Sequence, residues 1–175
     1  SLINLKGLHL YFNQFTSLPA SIESLISLDN LDLQSNQLTS VPENIVHLTN
    51  LISLVLNENN LTSVPENIGN LNNLMFLHLA SNKILSVPAS IGNLTNLGDL
   101  DLRSNQITNF PEGLWDLINL YELFLSDNQL TGEIPSDIGN LVNLTSLTLN
   151  NNQLSGSIPS TICNLNESSL ELNLG

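Results

Sequence analysis

The side chains with the widest chemical range in this sequence fall into two columns of common phase. Phe76, Asp99 and Glu122 are spaced by 23 residues, and so are His78, Asp101 and Phe124, with Arg103 two positions after Asp101. Two aromatic anchors among acids suit a basic or amphipathic partner, since aromatic and charged groups carry recognition and orientation. The bland alternative is a set of solvated acids on a strand face. Asp99, Asp101 and Glu122 fall on adjacent segments and could approach a cation. Calcium asks for more oxygen ligands in a shaped loop, so no metal site is assigned. His9 and His78 are three units apart, about 14 Å at strand spacing, too far to share a metal. Cys163 is the sole thiol and stands at the phase of Gly69, Gly92 and Gly139. With no His or Asp column beside it, it reads as a small packing residue and not a nucleophile. Trp115 shares that phase and reads as cover for apolar surface or a second contact. No phosphate loop, catalytic carboxylate pair or triad pattern occurs. The expectation is no catalytic residue, no cofactor and no enzyme activity.

Charge narrows the partners. Sixteen acids stand against three Lys and Arg, a formal net charge of -13. Such a chain repels nucleic-acid phosphates and anionic membrane surfaces. It favours a basic partner, or keeps an Asn-rich surface soluble. One cysteine cannot form an internal disulfide. No stretch reaches the length of a membrane span, and no basic-then-apolar signal is present. Asn-x-Ser/Thr acceptors at Asn60, Asn93, Asn143 and Asn166 arise readily by chance in a chain this rich in Asn and Thr.

The elements that must position these residues come from a repeat. Leu28–Asn50 returns as Leu51–Asn73 and again as Leu74–Asn96. Units begin at Leu5, Leu28, Leu51, Leu74, Leu97, Leu120 and Leu144, five intervals being 23 residues and the last 24. Each opens L-x-x-L-x-L-x-x-N, as in Leu97, Leu100, Leu102 and Asn105. The alternation x-Leu-x-Leu-x has period two and predicts a short strand. Asn13, Asn36, Asn59, Asn82, Asn105, Asn128 and Asn152 share one phase. An amide carries donors and an acceptor, so a column of them can satisfy turn backbone that stacking would bury. These are read as a structural asparagine ladder. A second apolar pair, such as Leu38 and Val41, precedes a proline at Pro19, Pro42, Pro65, Pro88, Pro111, Pro135 or Pro159. Proline fixes φ and donates no hydrogen bond, so it marks where the strand side ends. P-x-x-I-x-x-L then predicts a 3-10 turn or one helical turn.

These motifs are similar to those of leucine-rich repeat proteins, and they cover nearly the whole chain. The resemblance implies an α/β solenoid, a horseshoe or arc. A parallel β-sheet lines its concave face, and short 3-10 or helical turns line the convex face. Units with L-T-S-V-P-E-N-I resemble typical repeats of bacterial and cytosolic members. Leu130–Pro135 and Leu154–Pro159 resemble the L-x-G-x-I-P form of plant extracellular repeats. The added Gly predicts an extra turn or a short second strand. An extracellular or cell-surface setting is expected over a cytoplasmic one.

Residues 1–175 read as a single solenoid of about seven full repeats plus partial terminal ones. Ser1–Leu5 aligns with Asp116–Leu120, so the chain starts inside a repeat, and a segment of a longer array is expected. Leu170, Leu172 and Leu174 predict a last strand. The resemblance implies a non-catalytic protein- or peptide-binding module acting through its concave face, at Phe76, His78, Asp99, Asp101, Arg103, Glu122 and Phe124. Two other readings stay open: a carbohydrate- or ice-surface binder, and a structural segment that self-associates through uncapped ends. Against the ice reading, no Thr ladder forms on the concave columns, and Leu85 interrupts Thr39, Thr62, Thr108 and Thr131.

Overall fold

Leu28, Leu31 and Leu33 cannot be buried by one 23-residue coil; they need a neighbour on each side. The computed structural model shows that stack, and it describes residues 2–165 and 171–175. The acceptor Asn166 and the strand residue Leu170 lie outside the described residues, as does Ser1.

Strands follow one another as β1 (Gly7–His9), β2 (Asn30–Asp32), β3 (Ser53–Val55), β4 (Phe76–His78), β5 (Asp99–Asp101) and β6 (Glu122–Phe124). After them come β7 (Thr131–Gly132), β8 (Ser146–Thr148), β9 (Gln153–Leu154) and β10 (Glu171–Asn173). β1 to β6, β8 and β10 form one parallel eight-stranded sheet in chain order. Register is in phase with the repeat, so Phe76 pairs with Asp99 and Asp99 with Glu122. The central Leu of each strand from β2 to β6, and of β8, points inward and is buried. β10 places Leu172 as expected within a strand, although its side chain stays exposed.

The return side is built from 3-10 turns, as at Glu43–His47 and Ala89–Asn93. Pro42 and Pro88 sit at their N-caps in extended conformation, where a missing N–H costs nothing. Each of these turns buries one isoleucine, Ile45 or Ile91, and its closing Leu N–H donates to that isoleucine's carbonyl. The core is thus one apolar column between sheet and turns, from Ile22 to Leu165.

The L-x-G-x-I-P units differ as expected. Gly132 and Gly156 adopt φ of 80° and 79°, open only to residues without a Cβ penalty. The chain there swings outward, and β7 pairs with β9 in a separate two-stranded sheet. A further regularity escaped the pattern reading. Phe12, Ser35, Glu58, Ser81, Ser104, Asp127 and Asn151 all have φ near +55° (53° to 58°). Each directly precedes an asparagine of the ladder, and this left-handed residue turns the chain so that the amide points inward.

Candidate functional site

The inner asparagines act as the sequence implies. Asn82 donates through Nδ2 to Leu56 O and Leu79 O at 3.0 Å and to Ala80 O at 3.2 Å. Its Oδ1 accepts from Leu61 N at 2.9 Å. Two amide hydrogens thus serve three carbonyls, on its own coil and the one before. Asn36, Asn59, Asn105 and Asn128 repeat the pattern while buried, and Asn152 does so half-buried. Asn13 donates to its own coil, at Leu10 O and Tyr11 O.

A second asparagine column, missed in the sequence reading, runs along the sheet edge. Asn50, Asn73, Asn96, Asn119 and Asn143 each donate Nδ2 to a carbonyl of the preceding coil, at 2.7 or 2.8 Å. Its signal was an Asn before each repeat-opening Leu, broken by Ser27. Asn50, Asn73 and Asn96, with Ile52 and Met75, also line a shallow groove on that edge.

On the concave face the structure brings Phe76, His78, Asp99, Asp101, Arg103, Glu122 and Phe124 together on β4 to β6 and the turn after β5. The alternative of merely solvated acids does not describe β5. Asp99 is 8 % exposed and Asp101 5 %. Longer neighbours fold over them, because β5 lies between strands that carry His78, Phe124 and Glu122. Arg103 turns back on Asp101: Nε donates to Oδ1 at 3.0 Å and Nη2 to Oδ2 at 2.7 Å. The same guanidinium lies 4.7 Å from the centre of the Phe124 ring. Planar guanidinium suits both contacts, a forked carboxylate pair and an aromatic face.

Asp99 is held differently. His78 Nε2–H donates to Asp99 Oδ2 at 2.7 Å. That bond is the main reason the imidazole titrates above its ordinary range; burial opposes it, and the charges of Asp99, Asp101 and Glu122 add to it. Glu122 stands directly beside Asp99 in register on the next strand. Burial first, then the Asp99 charge, pushes Glu122 above the ordinary carboxylate range. Asp99 Oδ1 is buried and has no hydrogen-bond partner among the described residues.

Two further residues belong here. A Cβ at Gly98 would meet the ring of Tyr121 at 2.2 Å, so Tyr121 lies directly on the bare backbone beside Asp99. Burial, then the charges of Asp99 and Glu122, pushes the Tyr121 hydroxyl upward. Their column reads Lys6, Asp29, Ile52, Met75, Gly98, Tyr121, Thr145, and a Gly next to the sole Tyr of the column was the available signal.

Elsewhere, Cys163 is exposed on the 3-10 turn Ser160–Asn164. Gly69 and Gly139, at the same phase, are buried because the next coil lies against them. Trp115 is partly buried against the core, its ring 5.3 Å from that of Phe110. On the convex side His47 Nδ1 lies 2.6 Å from Glu23 Oε2, and Asn44 donates to the same oxygen at 2.7 Å. These two bonds, that to His47 first, lower the Glu23 carboxyl. Among the described residues no cluster of three His, Cys, Asp or Glu could hold a metal ion, and no helix is long and apolar enough to cross a membrane.

Known proteins give the family. No curated protein matches the chain. Family models match as a leucine-rich repeat region over residues 1–77 and as leucine-rich repeats over 72–130 and 143–165. Among solved structures, a leucine-rich repeat protein of Leptospira interrogans is 36 % identical with a TM-score of 0.74, over 98 % of this chain and 49 % of that one. A plant peptide hormone receptor, RGFR1 in complex with RGF2, is 36 % identical with a TM-score of 0.88, over 95 % of this chain and 27 % of the receptor. An internalin from Listeria monocytogenes is 31 % identical with a TM-score of 0.82, over 95 % of this chain and 46 % of that one. The chain therefore spans about half the length of the bacterial proteins it matches and about a quarter of the receptor. With its repeat, its in-register sheet, its 3-10 turns and these matches, the chain belongs to the leucine-rich repeat family.

Proposed function

We propose that this chain is a non-catalytic module that binds a protein or peptide through its concave sheet, at Phe76, His78, Asp99, Asp101, Arg103, Glu122 and Phe124. The observation that carries the reading is the organisation of β5. Its two outward carboxylates are buried and held by His78 and Arg103, where a merely solvated face would leave them exposed. Keeping two carboxylates out of water is costly, and their arrangement contributes more to recognition than to stability. A solved relative of similar geometry is a peptide hormone receptor in complex with RGF2. The net charge of -13 favours a basic ligand.

The test is an amide-resolved NMR titration of the chain with a panel of basic amphipathic peptides of 10 to 15 residues. Shifts concentrated on β4 to β6 are expected. Shifts confined to the convex 3-10 turns, or none with any peptide, would discard the concave face as the binding surface.

A further inference from the structure

Asp101 and Asp99 stand two residues apart on one strand, and only one of them has a guanidinium. Asp101 is met by the fork of Arg103, which also lies on Phe124. Asp99 has the same kind of surroundings. Glu122 flanks it on β6 and Phe76 on β4, both in direct register. Tyr121 lies against Gly98 beside it. Yet no side chain among the described residues donates to Asp99 Oδ1, although the residue is 92 % buried, being 8 % exposed. A carboxylate oxygen removed from water without a donor is costly, and facing a second carboxylate makes it more so.

We infer that Asp99 and Glu122 form a subsite for one arginine side chain of a bound peptide, its guanidinium bridging the two carboxylates between Phe76 and Tyr121. The inference deepens the concave-face reading above and rests on it. Arginine fits better than lysine: a planar fork can serve two carboxylates at once and stack on an aromatic face, and an ammonium does neither as well. Glu122 is half-exposed, so it can swing aside to admit the group. The chain supplies its own precedent in Arg103, Asp101 and Phe124.

The groups facing the subsite are His78 from β4, Asp101 and Arg103 from β5 and the turn after it, and Tyr121 and Glu122 from β6 with the residue before it. Of these, Glu122 must be ionised for the bridge to form. Arginine therefore competes with a proton, and its binding weakens as pH falls through the raised Glu122 range.

The experiment titrates the full chain with N-acetyl-arginine amide and, separately, with N-acetyl-citrulline amide, a neutral analogue of nearly equal shape. Amide shifts at Asp99, Tyr121 and Glu122, and carboxyl carbon shifts of Glu122, are followed. Arginine is expected to move these signals and to lower the pH at which Glu122 titrates; citrulline is expected to do neither. Glu122→Gln should weaken arginine binding by about tenfold through loss of one charge-assisted partner. Equal responses to arginine and citrulline, no response to either, or full arginine affinity in Glu122→Gln overturns the subsite. If peptides of the panel still move the amides of β4 to β6, only the subsite fails. If none does, the concave-face reading fails with it.

Discussion

The two asparagine columns use one residue type at one spacing, and they do different work. Asn82 is buried, serves three carbonyls and accepts from a buried N–H. Asn73 is exposed and gives one hydrogen bond, to Thr49 O at 2.8 Å. Water can replace Asn73 and cannot reach the partners of Asn82. The difference between the columns is therefore burial, and not chemistry or period. A hydrogen bond is worth little where water competes and is expensive to remove where it does not.

That comparison can be broken from its strong side first. Asn82→Leu leaves Leu56 O, Leu79 O and Leu61 N without their side-chain partner, and it should cost about 4 kcal/mol at roughly 1–3 kcal/mol per buried unpaired group. Urea unfolding measures it, and a loss below about 1 kcal/mol would put the inner column on the level of the outer one. Leu100→Ala sets the scale for an apolar rung of the same stack. Leu100 is fully buried, and the cavity should cost about 3 kcal/mol. An unchanged melting curve would remove Leu100 from the core. Asn73→Ala tests the weak side and should cost about 0.5 kcal/mol. A cost matching Asn82→Leu would mean that the outer column is shielded after all.

The smallest effect separates buried from exposed charge in the same manner. The folded-state pKa of His78 is raised, so its contribution to stability is complete below the unfolded value of about 6.5 and is lost as pH rises through the folded one. Glu122 is raised too, and its contribution is likewise lost as pH rises, at lower pH. Melting temperature should therefore climb modestly as pH falls from 8 to 6, and the climb should flatten in His78→Gln. On the convex side the sign is opposite. The lowered Glu23 adds stability above its unfolded value, and that share is lost as pH falls through the folded one. Equal slopes for wild type and His78→Gln would detach His78 from the pH response.

The inner ladder was legible because each rung sits inside L-x-x-L-x-L-x-x-N, where the leucines announce burial. The outer ladder was periodic too, apart from Ser27, but the residues before it are Thr, Asn, Ile and Val on an exposed edge, and nothing in that pattern declares a hydrogen bond to the coil before. The left-handed residues were hidden for a related reason. Ser, Asp and Asn fit such a turn, but Phe12 and Glu58 occupy it as well, so composition alone does not mark the position. The candidate site was legible as a set of outward columns. Its internal pairing was not, because Arg103 could as readily have pointed outward as back onto Asp101.

The sequence by itself determined the period, and the period determined the sheet, its register, the buried leucines and the inner asparagines. Backbone pairing at constant phase leaves those positions no alternative. Only the tertiary structure decided that the acids of β5 are buried, that His78 reaches diagonally to Asp99, that Tyr121 lies on Gly98, and that Asp99 Oδ1 is left without a donor among the described residues. Those outcomes depend on how far neighbouring side chains lean across a curved face. That reach is set by the side chains of three adjacent coils together, and no single repeat encodes it.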